Sequence, residues 1–160
     1  MIKTVPYENV DNMKITWYMP YCGHEIRKVH YDYFHELFGH EGPNSILSYL
    51  KDNDLGMGVT IKTEEVIKQT TLFEMIIDLT PKGLENVPQV VEAVFHYAKN
   101  MVAKGPQKYI FNEMLKSGEL KMKHQYECKP MQECIDVANR MHCIDVENIP
   151  YLLKYKYIKD

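Results

Sequence analysis

Apolar residues recur at helical spacing on both sides of a glycine-rich break in the first third of the chain. Before the break they lie at Tyr31, Phe34, Leu37 and Phe38, and after it at Ile46, Leu47 and Leu50. Spacings of three and four residues are typical of an amphipathic helix. Gly39, Gly42 and Pro43 interrupt the pattern, and Pro43 suits a first helical turn because its missing N–H needs no partner there. The pattern therefore predicts two helices within residues 29–50, joined by a sharp corner that holds one histidine and one glutamate.

Three other segments have the composition of β-strands. They are Met13–Met19, which Pro20 ends, then Val59–Lys62, and finally Thr70–Thr80. Each is rich in β-branched or aromatic residues, and the first alternates in the period of two that strands show. The second and third segments predict a hairpin whose connection spans residues 63–69.

The second half of the chain predicts four helices. Thr80 and Pro81 resemble an N-cap followed by a first-turn proline, and helical spacing continues from there to Val102. Pro88 lies too deep for a first turn, so either the helix kinks there or a new helix starts near Val87. The other three helices are expected over residues 107–126, from Pro130 onwards, and after a capping Asp145.

The order of these elements predicts the fold class. A strand, a pair of helices, two strands and then four helices form a segregated pattern, which is typical of α+β folds. We therefore expect a mainly antiparallel sheet with helices packed on one face. The length of 160 residues suits a single domain with its own core. Five aromatic residues are predicted to form part of that core: Trp17, Phe34, Phe73, Phe95 and Phe111.

Charge and hydropathy exclude two classes of partner. The net charge of −3 provides no basic surface for nucleic acid. The N-terminus lacks the apolar centre of a signal peptide, and no run of 18 apolar residues occurs. We expect a soluble, cytoplasmic protein without a membrane partner.

The cysteines do not form a known redox or zinc motif. They lie at positions 22, 128, 134 and 143, and no pair has CxxC spacing. A metal cluster could be drawn from three cysteines and two histidines: Cys128, Cys134, Cys143, His124 and His142. Reduced thiols on the helices of a cytosolic protein are the interpretation we favour.

Two long motifs resemble a family of peptidases. They are GHEGPNSILSYL at residues 39–50 and IDLTPKGLENVPQVVEAVFHYAKNMVAKGPQKYIFNEM at residues 77–114. In order and content they are similar to the group of zinc metallopeptidases that includes insulin-degrading enzyme, nardilysin and pitrilysin. The resemblance runs from about residue 5 to residue 160, and it is to the second, zinc-free domain of the N-terminal half. It implies an α+β fold with more strands than this chain predicts.

The resemblance also implies a peptide-binding exosite. In the family, the helix corner and a nearby edge strand hold the N-terminal end of a substrate opposite the zinc domain. The matching residues of this chain are Gly39, His40, Glu41 and Gly42 at the corner, and Val59, Thr60, Ile61 and Lys62 on the strand. The family often has two glycines where this chain has Ile61 and Lys62. The other interpretation of the corner is structural, namely a buried turn in which Glu41 caps the following helix.

No catalytic motif accompanies this implied exosite. The zinc motif of the family is His-x-x-Glu-His, which places two histidines on one helical face, and this sequence lacks it. His35 and His40 are five residues apart, so on a helix their side chains would point about 140° away from each other. We therefore expect neither catalytic nor metal-binding residues in this chain, and zinc only in a separate peptidase domain or subunit.

Three functions remain open from the sequence. The first is a non-catalytic segment of a zinc metallopeptidase that anchors peptide substrates. The second is a stand-alone interaction module that keeps the peptidase fold without proteolysis. The third, which we favour least, is an independent metalloenzyme that uses His35 and His40.

Overall fold

A computed structural model of the chain describes residues 2–4, 11–20, 30–67, 70–124, 129–143 and 146–152. These residues form three strands, six α-helices and one 3₁₀ helix. In chain order they are β1 (Asn12–Pro20), α1 (His30–Gly39), α2 (Ile46–Asp52), β2 (Gly56–Ile67), β3 (Thr70–Leu79), α3 (Pro81–Glu85), α4 (Val87–Lys104), α5 (Lys108–Lys123), α6 (Pro130–Cys143) and the 3₁₀ helix Val146–Tyr151. The order of strands and helices is the one that the sequence predicts.

The three strands form one sheet in the order β1-β3-β2. The Leu79 N–H donates to the Asp11 carbonyl at 2.8 Å, and further along β1 the Lys14 ammonium bonds Glu74 at 3.0 Å. Later residues of β1 therefore lie beside earlier residues of β3, so the two strands are antiparallel. Since β3 is central, β1 and β2 are the edges of the described sheet, and this α+β arrangement confirms the predicted fold class.

The chain divides into two compact units. The first unit comprises residues 1–17, 34–64 and 72–106, and the second comprises 18–33, 65–71 and 107–160. All the corner and strand residues that the family resemblance singles out belong to the first unit.

The buried apolar core of the described residues lies in the first unit. Its members come from the end of α1, from α2 and the loop that follows it, from the strands and from α4: Leu37, Phe38, Ile46, Leu47, Leu50, Leu55, Ile61, Phe73, Met75, Ile77, Leu79, Val90 and Val94. The ring of Phe73 is the centre of an aromatic cluster, with Trp17 at 5.8 Å and Phe38 at 5.9 Å between ring centroids. Offset and edge-on contacts at these distances are favourable.

Only one of the five predicted core aromatics is fully buried. Phe73 is 5% exposed, whereas Phe34 is 37% exposed and Phe95 is 52% exposed. Phe34 contacts Phe73, and Phe95 contacts Trp17, from the outside of the cluster. The prediction was wrong for these two residues because helical spacing identifies the apolar face of a helix but not which positions lie at its margin.

Two helix starts differ in detail from the sequence pattern. Pro43 lies in the turn before α2, and Ser45 is the N-cap, with its hydroxyl accepting a hydrogen bond from the Ser48 N–H at 3.0 Å. Serine provides this side-chain acceptor and proline does not, so the helix begins after Ser45. Farther along, Asn86 separates α3 from α4 and Pro88 lies in the first turn of α4. Of the two alternatives for Pro88, the new helix near Val87 is therefore correct.

The hairpin is longer than the sequence pattern indicates. The strand β2 extends from Gly56 to Ile67, well beyond the predicted Val59–Lys62, and β3 follows from Thr70. The predicted connection over residues 63–69 was therefore too long. The charged residues of this segment do not have a strand-like pattern, and the segment becomes part of a strand because it pairs with β3.

The second unit contains α5 and α6. The Gln107 N–H at the start of α5 donates to the Tyr33 hydroxyl at 2.7 Å, which fixes α5 against the first half of α1. On α6, Met131 is 77% exposed and Met141 is 65% exposed. Asp145 lies outside the described residues, and the segment that follows it is a 3₁₀ helix.

A junction around Thr80 fixes the loop between α2 and β2. The Thr80 hydroxyl accepts from the Gly83 N–H at 3.0 Å and donates to the Asp54 carbonyl at 2.6 Å. A Cβ added to Gly83 would lie 1.9 Å from the carbonyl oxygen of Leu55, which is itself fully buried. Only glycine allows this approach, because any side chain would displace one of the two backbones.

Replacing Gly83 with alanine should therefore destabilise the first unit. We expect a loss of about 3 kcal/mol in the free energy of unfolding, because the backbone of α3 must move away from Leu55. Urea unfolding followed by circular dichroism measures the change. Glu85→Ala, at an exposed position of the same helix, should change stability by less than about 0.5 kcal/mol. Equal stability of the two variants would contradict the close approach.

Two buried threonines allow a matched test of the junction. Thr80 makes the two hydrogen bonds above, whereas the hydroxyl of Thr71, a fully buried residue, has no hydrogen-bond partner in the described part of the chain. Thr80→Val should cost about 2 kcal/mol in unfolding free energy. Thr71→Val should leave stability unchanged or raise it by about 1 kcal/mol, since it removes an unsatisfied polar group. The same urea titrations measure both, and a larger loss at Thr71 would refute the assignment.

Candidate functional site

The corner between α1 and α2 lies at the surface of the first unit. Gly39 ends α1, and the Ser45 N–H closes the turn by donating to the Gly42 carbonyl at 3.2 Å. His40 and Glu41 are exposed, and the two glycines are half-buried. The structural interpretation, a buried turn capped by Glu41, is therefore wrong in both respects, because Ser45 caps α2 and Glu41 faces solvent.

The structure brings the corner and the edge strand together at one point. A Cβ added to Gly39 would lie 3.9 Å from the Ile61 side chain, which is an ordinary contact distance. Ile61 is 4% exposed, so its side chain fills the space beside Gly39. Its neighbours Thr60 and Lys62 are exposed, and Val59 is half-buried. The corner and the edge strand, which the family resemblance singles out, are thus adjacent in space although they are separate in sequence.

The imidazole of His40 lies directly against Gly42. A Cβ added to Gly42 would lie 2.4 Å from the His40 Nε2 atom and 3.0 Å from Cε1. The absence of a side chain at Gly42 therefore provides the space that the His40 ring occupies. The ring is placed by this contact while His40 stays exposed, so the corner presents an imidazole and a neighbouring carboxylate to solvent.

The Glu41 carboxylate has no ion-pair partner among the described residues. The ion pair found in that part of the chain joins Lys14 to Glu74, on the sheet. A free, exposed carboxylate beside the edge of a sheet can accept hydrogen bonds from an ammonium group. The corner is therefore chemically suited to a positively charged group on an extended ligand.

A second concave surface lies between α2 and α4. It encloses about 610 Å³ and is lined mainly by polar residues of the two helices: Asn44, Ser45, Ile46, Ser48, Tyr49, Asp52, Gln89, Glu92, Ala93, His96, Tyr97 and Asn100. It begins beside the corner, at Asn44 and Ser45. Sequence reasoning missed it, although polar residues at helical spacing on both helices are a signal for such a groove.

Metal sites and membrane spans are absent from the described part of the chain. No three His, Cys, Asp or Glu side chains there are arranged to hold a metal ion. His35 and His40 are both exposed, and of the proposed cysteine cluster Cys134 is an exposed free thiol, whereas Cys128 lies outside the described residues. None of the described helices is both long and apolar enough to cross a membrane.

Known proteins that are similar to this chain in sequence are much longer than it is. It is 28% identical over 158 residues to the insulin-degrading enzyme of Drosophila melanogaster, which covers 94% of the chain and 16% of that enzyme. It is also 28% identical over 153 residues to human nardilysin, covering 93% of the chain and 13% of nardilysin. The chain therefore spans about one-sixth or less of the length of these curated relatives.

A solved structure supports the fold. The crystal structure of pitrilysin superimposes on 94% of the chain with a TM-score of 0.84, at 21% sequence identity and over 16% of its own length. The sequence profile described as the peptidase M16 inactive domain matches residues 2–117. This match covers both motifs from which the resemblance was inferred. The chain therefore belongs to the family of peptidase M16 inactive domains.

Proposed function

We propose that this chain is a non-catalytic segment of a zinc metallopeptidase and that it anchors peptide substrates by their N-terminal end. The observation that carries the proposal is the contact between the corner and the edge strand at Gly39 and Ile61. The exposed residues His40 and Glu41 directly follow Gly39, and β2 has no neighbour on its outer side in the described sheet, which supports a ligand site here.

The chemistry of the anchor has two parts. A free α-amino group is positively charged at neutral pH and would pair with the Glu41 carboxylate. The peptide backbone would add to β2 as a further strand, so that main-chain hydrogen bonds supply affinity whatever the side chains are. A peptide with a blocked amine could still add to β2 as a strand, but it could not form the ion pair with Glu41.

The replacement of the family's glycine pair is compatible with this anchor. The side chain of Ile61 is buried beside Gly39, so it does not extend from the exposed face of the strand. The exposed side chain of Lys62 is the one that a bound peptide would meet. The departure from the family pattern therefore changes the chemistry of the site rather than closing it.

Catalysis belongs to another segment in this proposal. The sequence has no His-x-x-Glu-His motif, and the relatives are roughly six times longer than the chain. The zinc ion and the catalytic carboxylate would come from a separate peptidase domain or subunit. Capture of a zinc-bearing peptidase subunit by this chain would favour the proposal over a stand-alone interaction module.

Removing the charge of Glu41 should weaken peptide binding. A suitable probe is a ten-residue peptide of serine, threonine and valine with a free amine and a C-terminal fluorophore, and fluorescence anisotropy gives its Kd. Glu41→Gln should raise the Kd by about twofold to fivefold, the usual contribution of an exposed ion pair. Acetylating the peptide should raise the Kd of the unmodified protein equally and leave that of the variant unchanged.

The control for this experiment removes an exposed carboxylate elsewhere in the first unit. Glu85→Gln in α3 changes the net charge by the same amount without touching the corner. It should bind both peptides as the unmodified protein does. Equal weakening by Glu85→Gln and Glu41→Gln would show a general charge effect and would count against the anchor.

The chain alone should not hydrolyse peptides. A quenched fluorescent peptide incubated with the chain and zinc should give no signal above buffer, because a hydrolytic zinc site needs three protein ligands and a placed base. Addition of a chelator should change nothing. Hydrolysis that the chelator abolishes, and that His35→Ala or His40→Ala removes, would instead establish the independent metalloenzyme.

A further inference from the structure

Lys62 is an exposed cation at the point where the corner meets the strand. The preceding residue, Ile61, turns inward to Gly39, and side chains of a strand alternate between its two faces. Lys62 therefore lies on the opposite face of the sheet, together with the exposed residues Thr60 and Glu64. Among the described residues no carboxylate forms an ion pair with it.

Two exposed residues of opposite charge lie close in sequence to the point where Gly39 approaches Ile61. Glu41 is the anionic member on the corner and Lys62 is the cationic member on the strand. We infer that a peptide whose amine pairs with Glu41 and whose backbone follows β2 places one of its first residues next to Lys62, because Lys62 directly follows Ile61 on that strand. Cross-strand neighbours on one face of a sheet have Cβ atoms about 5 Å apart, which is close enough for an ion pair.

We propose that Lys62 selects peptides that carry an acidic side chain within their first three residues. This inference rests on the proposed anchoring function and specifies its ligand: a free amine followed closely by a carboxylate, complementary to Glu41 and Lys62. The residue contributes specificity through its charge and takes no part in any reaction.

Edge protection is the competing explanation for Lys62. Lysines on edge strands discourage unwanted pairing between protein molecules, and this effect needs a charge but not a particular sign. A variant in which the charge of Lys62 is reversed distinguishes the two explanations. Lys62→Glu keeps a charged edge, so protection persists, whereas selection of acidic peptides must change to selection of basic ones.

The test measures the Kd of six peptides by fluorescence anisotropy. Each is the ten-residue serine, threonine and valine peptide with a free amine, and each carries aspartate or lysine at its first, second or third position. Because side chains alternate, the aspartate peptide should bind about 1.5-fold to fivefold more tightly than its lysine counterpart either at positions one and three or at position two. Lys62→Glu should invert that ratio at the same positions.

Lys99→Glu is the matched control, since it reverses an exposed lysine on α4 in the same unit. It should leave the ratios of the unmodified protein unchanged. Equal Kd values for aspartate and lysine peptides, or a preference that survives Lys62→Glu, would overturn the role of Lys62. Circular dichroism spectra of both variants establish that they are folded.

The acetylated peptides distinguish this inference from the function on which it rests. Binding that weakens on acetylation but shows no aspartate preference keeps the anchor and refutes the selection. A Kd that does not change on acetylation, or no binding at all, refutes the anchor and the selection together. An aspartate preference that depends on Lys62 and on the free amine supports both.

Discussion

The close approach of two backbones at Gly83 and Leu55 is the constraint on which the placement of the edge strand depends. The Leu55 N–H donates to the Leu50 carbonyl of α2 at 2.8 Å, and the Leu55 carbonyl accepts from the Thr80 N–H at 3.3 Å. The strand β2 begins at the next residue. The buried backbone of Leu55 thus joins the end of α2 and the start of α3 to the first residue of β2. A shift there would move the strand relative to the corner.

A different local feature borders the corner on each side, at the start of α2 and at the end of α1. Ser45 caps α2 with its side chain, which fixes where the second helix starts. On the other side Gly39 ends α1 beside the side chain of Ile61, at a distance where even a Cβ would make an ordinary contact. Between these points His40 rests on Gly42 and Glu41 is free to face solvent. Rigid elements therefore hold a short exposed segment, which is the usual construction of a binding loop.

Local signals in the sequence predicted local features of the fold well. The cap at Thr80 depends on residues within one turn, and the structure confirms it. At Pro88 the local pattern left two alternatives, of which the structure has the new helix at Val87. Features that depend on distant partners were not predictable in this way. The length of β2 depends on pairing with β3, and the exposure of Phe95 depends on which side chains cover it. Family motifs predicted the corner and strand as a pair, but only the fold shows that Gly39 contacts Ile61.

Ile61 and Lys62 stand where the family resemblance implies two glycines, and they show why a motif alone cannot define a candidate site. At a glycine pair the strand has no side chain on either face, so a ligand would meet backbone only. Here one substitution points inward and becomes part of the core, and the next points outward and adds a positive charge. The inward residue is constrained by packing against Gly39, whereas packing does not constrain the outward one. Its identity is therefore open to selection by a ligand, and the sign of its charge becomes the informative property.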